Sequence, residues 1–301
     1  PMILTMVYFG NPLWSGVGVR TRVTEVAAQA GLLQSWFPDR AVHFGANGPS
    51  WSISVEAFFY ALFPLLAYAL LRAFRAAPPR TVLAAAFAVW LLEALVLAPQ
   101  HAAVDDWRFY VFPPARLADF VVGMLLGIAV LRGDRTARWP LRGTSMEMLA
   151  LAAIALSVLV SPLLPLALRF SAALMPAWAF AVYVFAARRG AVSRLLEHPV
   201  LVRLGEVSFA FYLIHLAVIA LVTYVIGPSH PLFMAIAFGV SLVLSFALFH
   251  GVEQPLRGRI RRALVGAEQS SAQVRGRGQR AGAVAPALEQ RGFHVQPGEA
   301  V

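Results

Sequence analysis

Apolar residues fall in unbroken runs of about 18–23 positions, a length that crosses a hydrocarbon core as a helix, and short polar segments separate them. The pattern predicts seven complete spans: Trp51–Leu71, Thr81–Ala98, Pro113–Leu131, Thr144–Ser161, Leu163–Ala187, Gly205–Ile226 and Pro231–His250. The opening segment Pro1–Trp14, "PMILTMVYFGNPLW", reads as the end of a further span that began earlier. Next comes "TEVAAQAGLLQSWFP", too short and polar to span and readable as an interfacial helix ending in a Trp-Phe anchor. The runs do not alternate as barrel strands would, so helices must satisfy the backbone in lipid. The expected fold is all-α: a polytopic transmembrane helical bundle of seven complete spans plus a partial N-terminal one, over residues 1–263. From 264 to 301 the apolar pattern gives way to Gly, Gln, Ser and Pro, which predicts a disordered cytoplasmic tail.

Composition agrees with this pattern. Apolar residues make up 59% of the 301 and charged ones only 13%, against about 25% charged in soluble domains. All 25 basic side chains are Arg, and the net charge is +10. Their placement is asymmetric. Arg72, Arg75 and Arg80 follow the first span; Arg132, Arg135, Arg138 and Arg142 the third; Arg188, Arg189, Arg194 and Arg203 the fifth; and eight more follow the seventh. Of the alternate loops between complete spans, only Gln100–Phe112 holds an arginine, Arg108. The positive-inside rule then puts the Arg-rich loops and the C-terminus in the cytoplasm. This accounts for the basic charge without nucleic acid. There is no Cys, hence no disulfide or thiolate metal site, and no His/Asp/Glu cluster has metal-ligand spacing.

Polar residues inside the spans carry the functional question. Glu56 sits in "GPSWSISVEAFFYALFPLLAYALL", about 7 Å along the helix from Trp51, and an intramembrane acid is a functional candidate by default. Ser52, Glu56, Tyr60 and Phe63 share one helical face. In "PPARLADFVVGMLLG", Arg116 and Asp119 are three apart on one face at a similar depth, and Gly123 and Gly127 continue it, where another helix is expected to approach closely. In "GEVSFAFYLIHLAVI", Ser208, Tyr212 and His215 share a side, with His215 about 15 Å along the helix from Gly205.

Plainer readings stand beside these. Arg116 and Asp119 form a self-neutralising i, i+3 pair on one reading, and His215 is a hydrogen-bonded packing element on another. Glu93 reads as an interfacial acid, Glu206 as an N-terminal dipole partner of its helix, and Arg169 as a side chain snorkelling outward. From the residues alone, the picture is a polar cavity opening to the outer side.

Four segments, in order, resemble the acyltransferase 3 family of integral-membrane acyltransferases, which includes O-antigen and other glycan O-acetylases. "PSWSISVEAFFYALFPLL" is similar to its Trp-Ser-x-Ser-x-Glu signature and the aromatic-rich span that follows. "ARLADFVVGMLLG" resembles its Arg-x-x-(Glu/Asp)-Phe-x-x-Gly segment, with Asp119 in the acidic slot. "LGEVSFAFYLIHLAVI" and "VEQPLRGRI" resemble its Leu-Gly-x-x-Ser-(Tyr/Phe)-x-x-Tyr-Leu-x-His and Glu-x-Pro-(Phe/Leu)-Arg segments.

The resemblance implies a ten-span domain of which this chain lacks the first two spans, together with the Arg/His motif of the first. No residue here matches that motif's His, neither His43 in a loop nor His215. It further implies a bacterial inner-membrane enzyme with no permanently bound cofactor. That enzyme moves an acyl group, acetyl above all, from cytoplasmic acyl-CoA to a hydroxyl on a glycan or lipid-linked saccharide, with membrane lipid around it. Glu56, Arg116 and Asp119 are then the catalytic candidates. Trp51, Ser52, Ser54, Tyr60, Tyr212 and His215 are the substrate-binding candidates. A transporter or flippase and a non-catalytic scaffold are the alternatives, although neither an inverted repeat nor a pair of Gly/Pro-broken spans is visible in the sequence.

Overall fold

The computed structural model describes residues 18–45, 47–100, 107–133, 142–169 and 171–262. The expected partial span at Pro1–Trp14 and the tail at 264–301 lie outside these. Every regular element among the described residues is helical, as the apolar pattern predicts. The main helices are α1 Val19–Ala30, α2 Trp51–Ala73, α3 Pro79–Leu97, α4 Leu117–Arg132, α5 Gly143–Val160, α6 Met175–Ala186, α7 Pro199–Ile226 and α8 Phe233–Leu248. With their flanking turns, six helical segments are long and apolar enough to cross a membrane: Gly48–Ala73, Pro79–Leu97, Pro113–Arg132, Gly143–Leu163, Pro199–Ile226 and Phe233–Arg262.

The fifth expected span is different. Leu163–Ala187 is not one helix but a 3-10 turn at Ser161–Leu163, a single helical turn at Leu166–Arg169, and the twelve-residue α6. Proline is the cause. Pro162, Pro165 and Pro176 carry no N–H, and Pro176 occupies the first turn of α6, where that loss is harmless. At about 1.5 Å per residue, α6 is far shorter than a bilayer core. Carbonyls freed by the break find donors: Arg169 Nε–H reaches the Leu164 carbonyl at 2.8 Å, Arg169 Nη2 donates to the Pro162 carbonyl, and Trp90 Nε1–H reaches the Ala172 carbonyl at 2.8 Å. Arg169 therefore braces the break instead of snorkelling outward.

The chain divides into two compact units, Pro1–Leu242 and Val243–Val301. At the centre of the first, α3 and α4 make the most extensive helix–helix contact. Val82, Ala86, Val122, Leu125, Ile128 and Ala129 are buried there, and Met175 of α6 closes the cluster. Lipid tails are as apolar as these side chains, so close van der Waals packing, helped by small residues, holds the contact. Helix α6 packs on α5 through Ala150, Ala181 and Val184 in the same way, and Val218, Val222 and Ala237 join α7 to α8. Helices α2 and α4 run in the same direction. Trp51 and Tyr110 meet at their starts with ring centroids 4.9 Å apart, Phe59 stacks on Phe120 at 4.6 Å, and Arg132 at the end of α4 donates to the Phe74 and Ala77 carbonyls.

The segment expected as an interfacial helix is α1 followed by the 3-10 turn Gln34–Trp36, which docks on the start of α2. Ser35 N–H donates to Ser54 Oγ at 3.3 Å, and Ser35 Oγ donates to the Trp51 carbonyl at 2.7 Å. Trp36 meets Phe58 and Phe112 edge-on at 5.3 and 5.6 Å, while Trp36 and Phe37 keep 36% and 37% of their surface exposed, as an interfacial anchor requires. In the second unit, a π-helical stretch at Phe249–Glu253 precedes Pro255, and Glu253 pairs with Arg257 at 2.6 Å, one helical turn apart.

Candidate active site

The proline break delivers Ser171 to the start of α4. Arg116 Nη2 lies 3.2 Å from Asp119 Oδ2, and Ser171 Oγ–H donates to Asp119 Oδ1 at 2.8 Å. Asp119 is thus held from two segments, Oδ1 by the Ser171 hydrogen bond and Oδ2 by the Arg116 ion pair alone. The expected i, i+3 pair exists, and a third residue from a distant segment completes it. Together with Gly123, Trp178 and Val182, these residues line a groove of ≈ 340 Å³ between α4 and the α6 segment. A Cβ added at Gly123 or Gly127 would meet nothing within 4 Å. The close helix approach expected at these glycines is therefore absent among the described residues. Gly123 instead keeps the groove open.

Glu93, read from the sequence as an interfacial acid, belongs to this cluster. Helix α3 runs antiparallel to α4, and its end sets the Glu93 carboxylate beside the Ser171 hydroxyl, within electrostatic reach of Asp119 and Arg116. Both Glu93 oxygens are buried, with no hydrogen-bond partner among the described residues. The reason is a count of protons. The Ser171 hydroxyl has one, and Asp119 takes it. On the other side of α6 a second groove of ≈ 340 Å³, almost wholly apolar, runs along Leu83, Phe87, Trp90, Phe180 and Tyr183. The two grooves share Val122, Leu126, Met175 and Ala179 as a common wall.

The remaining sequence candidates gather around the start of α2. Trp51 rests on Tyr110, and Ser52 Oγ–H donates to the Pro49 carbonyl at 3.0 Å. Ser54 is fully buried and faces the Gln34–Trp36 turn instead of a groove. Glu56 is half-buried, one turn before Phe59, as Arg116 is one turn before Phe120. The stacked rings therefore set the two residues at one level of the parallel helices α2 and α4. Tyr60 is 68% exposed among the described residues and lines neither groove.

Helix α7 reaches the same neighbourhood through Asn47, whose Nδ2 donates to the Leu213 carbonyl at 3.0 Å. His215 sits two residues along, with Nδ1 2.6 Å from the Tyr212 carbonyl of its own helix, and its ring stacks at 6.3 Å on Phe211. Tyr212 tilts against His215 at 5.9 Å. Since α7 begins at Pro199, Glu206 falls two turns inside the helix and is not a first-turn dipole partner.

The candidates thus form two groups held together by the α2–α4 contact. One surrounds Asp119, the other the start of α2 and the middle of α7. The first combines a cation, two carboxylates and a hydroxyl beside a groove, the kind of group set that can orient a hydroxyl and steady a developing negative charge.

The comparisons with known proteins bear on this arrangement. The model for the acyltransferase domain of the acyltransferase 3 family matches residues 2–250. The chain belongs to the acyltransferase 3 family. Acyltransferase MdmB of Streptomyces mycarofaciens is 34% identical over 204 residues, covering 62% of this chain and 49% of that relative. The chain thus spans about half the length of this curated relative. No solved structure matches it. Six membrane-length apolar helices within an integral-membrane acyltransferase family make this an integral membrane protein.

Proposed function

We propose that the protein is a membrane-bound O-acyltransferase that moves an acyl group, acetyl above all, from acyl-CoA to a hydroxyl of a glycan or glycosylated small molecule. The observation that carries this reading is the Arg116–Asp119–Ser171 constellation lining a groove within a chain of this family. In the reaction the acceptor oxygen attacks the thioester carbon, the C–S bond breaks, and the acceptor's proton ends on the departing CoA thiol. A base must take that proton, and donors must face the oxyanion. Arg116 is assigned to the negative charge, Asp119 to holding Arg116, and Glu56 to orienting the acceptor or a base from elsewhere in the gene product. Trp51, Ser52, Tyr212 and His215 flank the acceptor path in this reading, in which the enzyme sits in the bacterial inner membrane and takes its donor from the cytoplasm.

The experiment measures the O-acyl content of surface glycans with and without the gene, together with CoA release from acetyl-CoA by membranes carrying the full-length product. Loss of O-acyl groups on deletion and CoA release in membranes are expected. Unchanged glycans and no CoA release would overturn the reading. The break at Leu163–Ala187 is the feature a transporter reading would claim, since broken helices line transport sites; movement of a glycan across vesicles without acylation would favour that alternative. Orientation is tested by labelling this Cys-free chain. Ser229→Cys should react with an impermeant thiol reagent in intact cells, and Ser271→Cys should not. The reverse pattern inverts the topology.

A further inference from the structure

We propose that Glu93 is a positioning residue of the Arg116–Asp119 site and acts through the Ser171 hydroxyl. Three observations meet here. Both Glu93 oxygens are shut from solvent and lack a hydrogen-bond partner among the described residues. The carboxylate lies against Ser171 and within the field of Arg116 and Asp119. Trp90, less than one turn before Glu93, pins the Ser171–Ala172 segment by its bond to the Ala172 carbonyl. A glutamate kept only for packing would be replaceable by an apolar side chain of similar volume, because a buried polar group without a partner costs free energy.

Ser171 is shared between two carboxylates on two helices. Its single proton can serve Asp119, as it does at 2.8 Å, or rotate to Glu93. Whichever acid it serves, the other is left to the remaining cation, Arg116. Glu93 therefore sets how tightly Asp119 holds Arg116, and with it how readily the guanidinium turns to a negative charge in the groove. No bond to substrate is assigned to Glu93.

This inference rests on the acyl-transfer reading for its consequence but not for its geometry, and the test separates the two. Purified full-length protein is prepared as wild type, Glu93→Gln, Ser171→Ala and the double variant, at matched membrane abundance. Infrared difference spectra between wild type and Glu93→Gln identify the Glu93 carboxyl band. Ser171→Ala should shift that band; a band that stays in place overturns the proposal whether or not the protein transfers acyl groups.

In the acyl-transfer assay, Glu93→Gln should lower kcat by about 10-fold or more while leaving KM for acetyl-CoA nearly constant. Misplacing a group by a fraction of an ångström produces losses of up to about 10²-fold. The pH profile of kcat should move as well, which a purely structural role would not do. The double variant should be no worse than Ser171→Ala alone, because both changes cut the same connection. Multiplying losses, or a Glu93→Gln enzyme with unchanged kcat and pH profile, would overturn it. A wild-type protein without acyl transfer would sink the functional reading alone, leaving the infrared result to decide on Glu93.

Discussion

Glu147 and Glu93 are two glutamates with buried carboxylate oxygens in membrane-length helices, and the protein treats them in opposite ways. Glu147, near the start of α5, has no exposed surface. Its carboxylate accepts from Gly190 N–H and Val192 N–H, each at 2.9 Å, from Ser193 N–H at 3.3 Å and from the Ser193 hydroxyl at 2.5 Å. The backbone is shaped around it. A Cβ at Gly190 would collide with the Glu147 carboxylate, and one at Gly143 would collide with the Arg189 carbonyl. Arg188 takes a left-handed φ of 52° to bring the loop round after α6. Glu93, near the end of α3, has beside it only the Ser171 hydroxyl, whose proton Asp119 already takes. A carboxylate whose lone pairs are filled by its own chain has been spent on the fold. One that is buried and left open beside a cation, a hydroxyl and a groove is available to something else.

The comparison breaks most visibly at Glu147. Glu147→Ala strands four donors in the interior, each costing about 1–3 kcal/mol, against a total stability of about 5–15 kcal/mol. Little protein should reach the membrane, and Gly190→Ala should fail in the same way by displacing the carboxylate. Immunoblots of membrane fractions measure this. Glu93→Gln, by contrast, should accumulate normally. Equal abundance of Glu147→Ala and wild type would dissolve the distinction.

The Arg116–Asp119 pair comes next and sharpens the contrast, since here the two readings from the sequence diverge. Removing one partner of a buried pair costs about 3–5 kcal/mol, while removing both is often neutral. The cost should be smaller here, because the side chains keep 21% and 30% of their surface. Arg116→Ala should abolish acyl transfer and lower abundance somewhat. Arg116→Leu with Asp119→Leu should recover abundance without activity. Recovered activity in that double variant would reduce the pair to structure.

Much of this organisation can be read from the chain alone, and the exceptions have physical causes. Apolar run length places six of the membrane helices, because a span's length and hydropathy are local properties. The four motif segments are equally local, and the family match covers the first three and ends just before the fourth. The break within Leu163–Ala187 was signalled by Pro162, Pro165 and Pro176, but hydropathy outvotes proline in a long apolar run. Glu93 was not legible. Its membership of the site depends on α3 lying antiparallel to α4 and on Ser171 returning from a segment eighty residues away in the break, and neither is a property of its own neighbours. Glu147 was missed for the same reason, since its partners lie more than forty residues along the chain.

Glu56 tests whether an open carboxylate outside the Asp119 cluster also works in the reaction. It has no hydrogen bond or ion pair among the described residues, and it stands level with Arg116 through the Phe59–Phe120 stack. Glu56→Gln keeps shape and removes charge. Near-normal abundance with acyl transfer reduced by roughly 10²-fold is expected, the scale for losing an acid–base partner. Normal transfer at matched expression would leave Glu56 as packing and confine the chemistry to the groove.

The smallest effect expected is at His43, which lies between the two extremes. It is 2% exposed, in a short helix outside the membrane-length segments. Its Nδ1 lies 2.9 Å from the Phe37 carbonyl and its Nε2 is buried without a partner. Nδ1 must therefore carry the proton, and the ring is neutral. Burial lowers its pKa from the ordinary 6.5, with Arg40 adding to the effect and the Phe37 carbonyl and Asp39 opposing it. The sign follows from which state binds the proton. Below the ordinary value the unfolded chain takes it up before the folded one does, so the stabilisation is complete above 6.5 and declines as pH falls past it. Trp36, Trp51 and Trp107 surround this region, and Trp107 Nε1–H donates to the Ser35 carbonyl at 2.8 Å, so tryptophan fluorescence reports its unfolding. Thermal midpoints followed this way should fall by a few degrees between about pH 7.5 and pH 5.5. His43→Gln keeps a donor for the Phe37 carbonyl and cannot titrate, so its midpoint should vary less over the same range. An equal pH response in both proteins would show that the acid sensitivity arises elsewhere, and would place His43 with Glu147 among the groups the fold has fully absorbed.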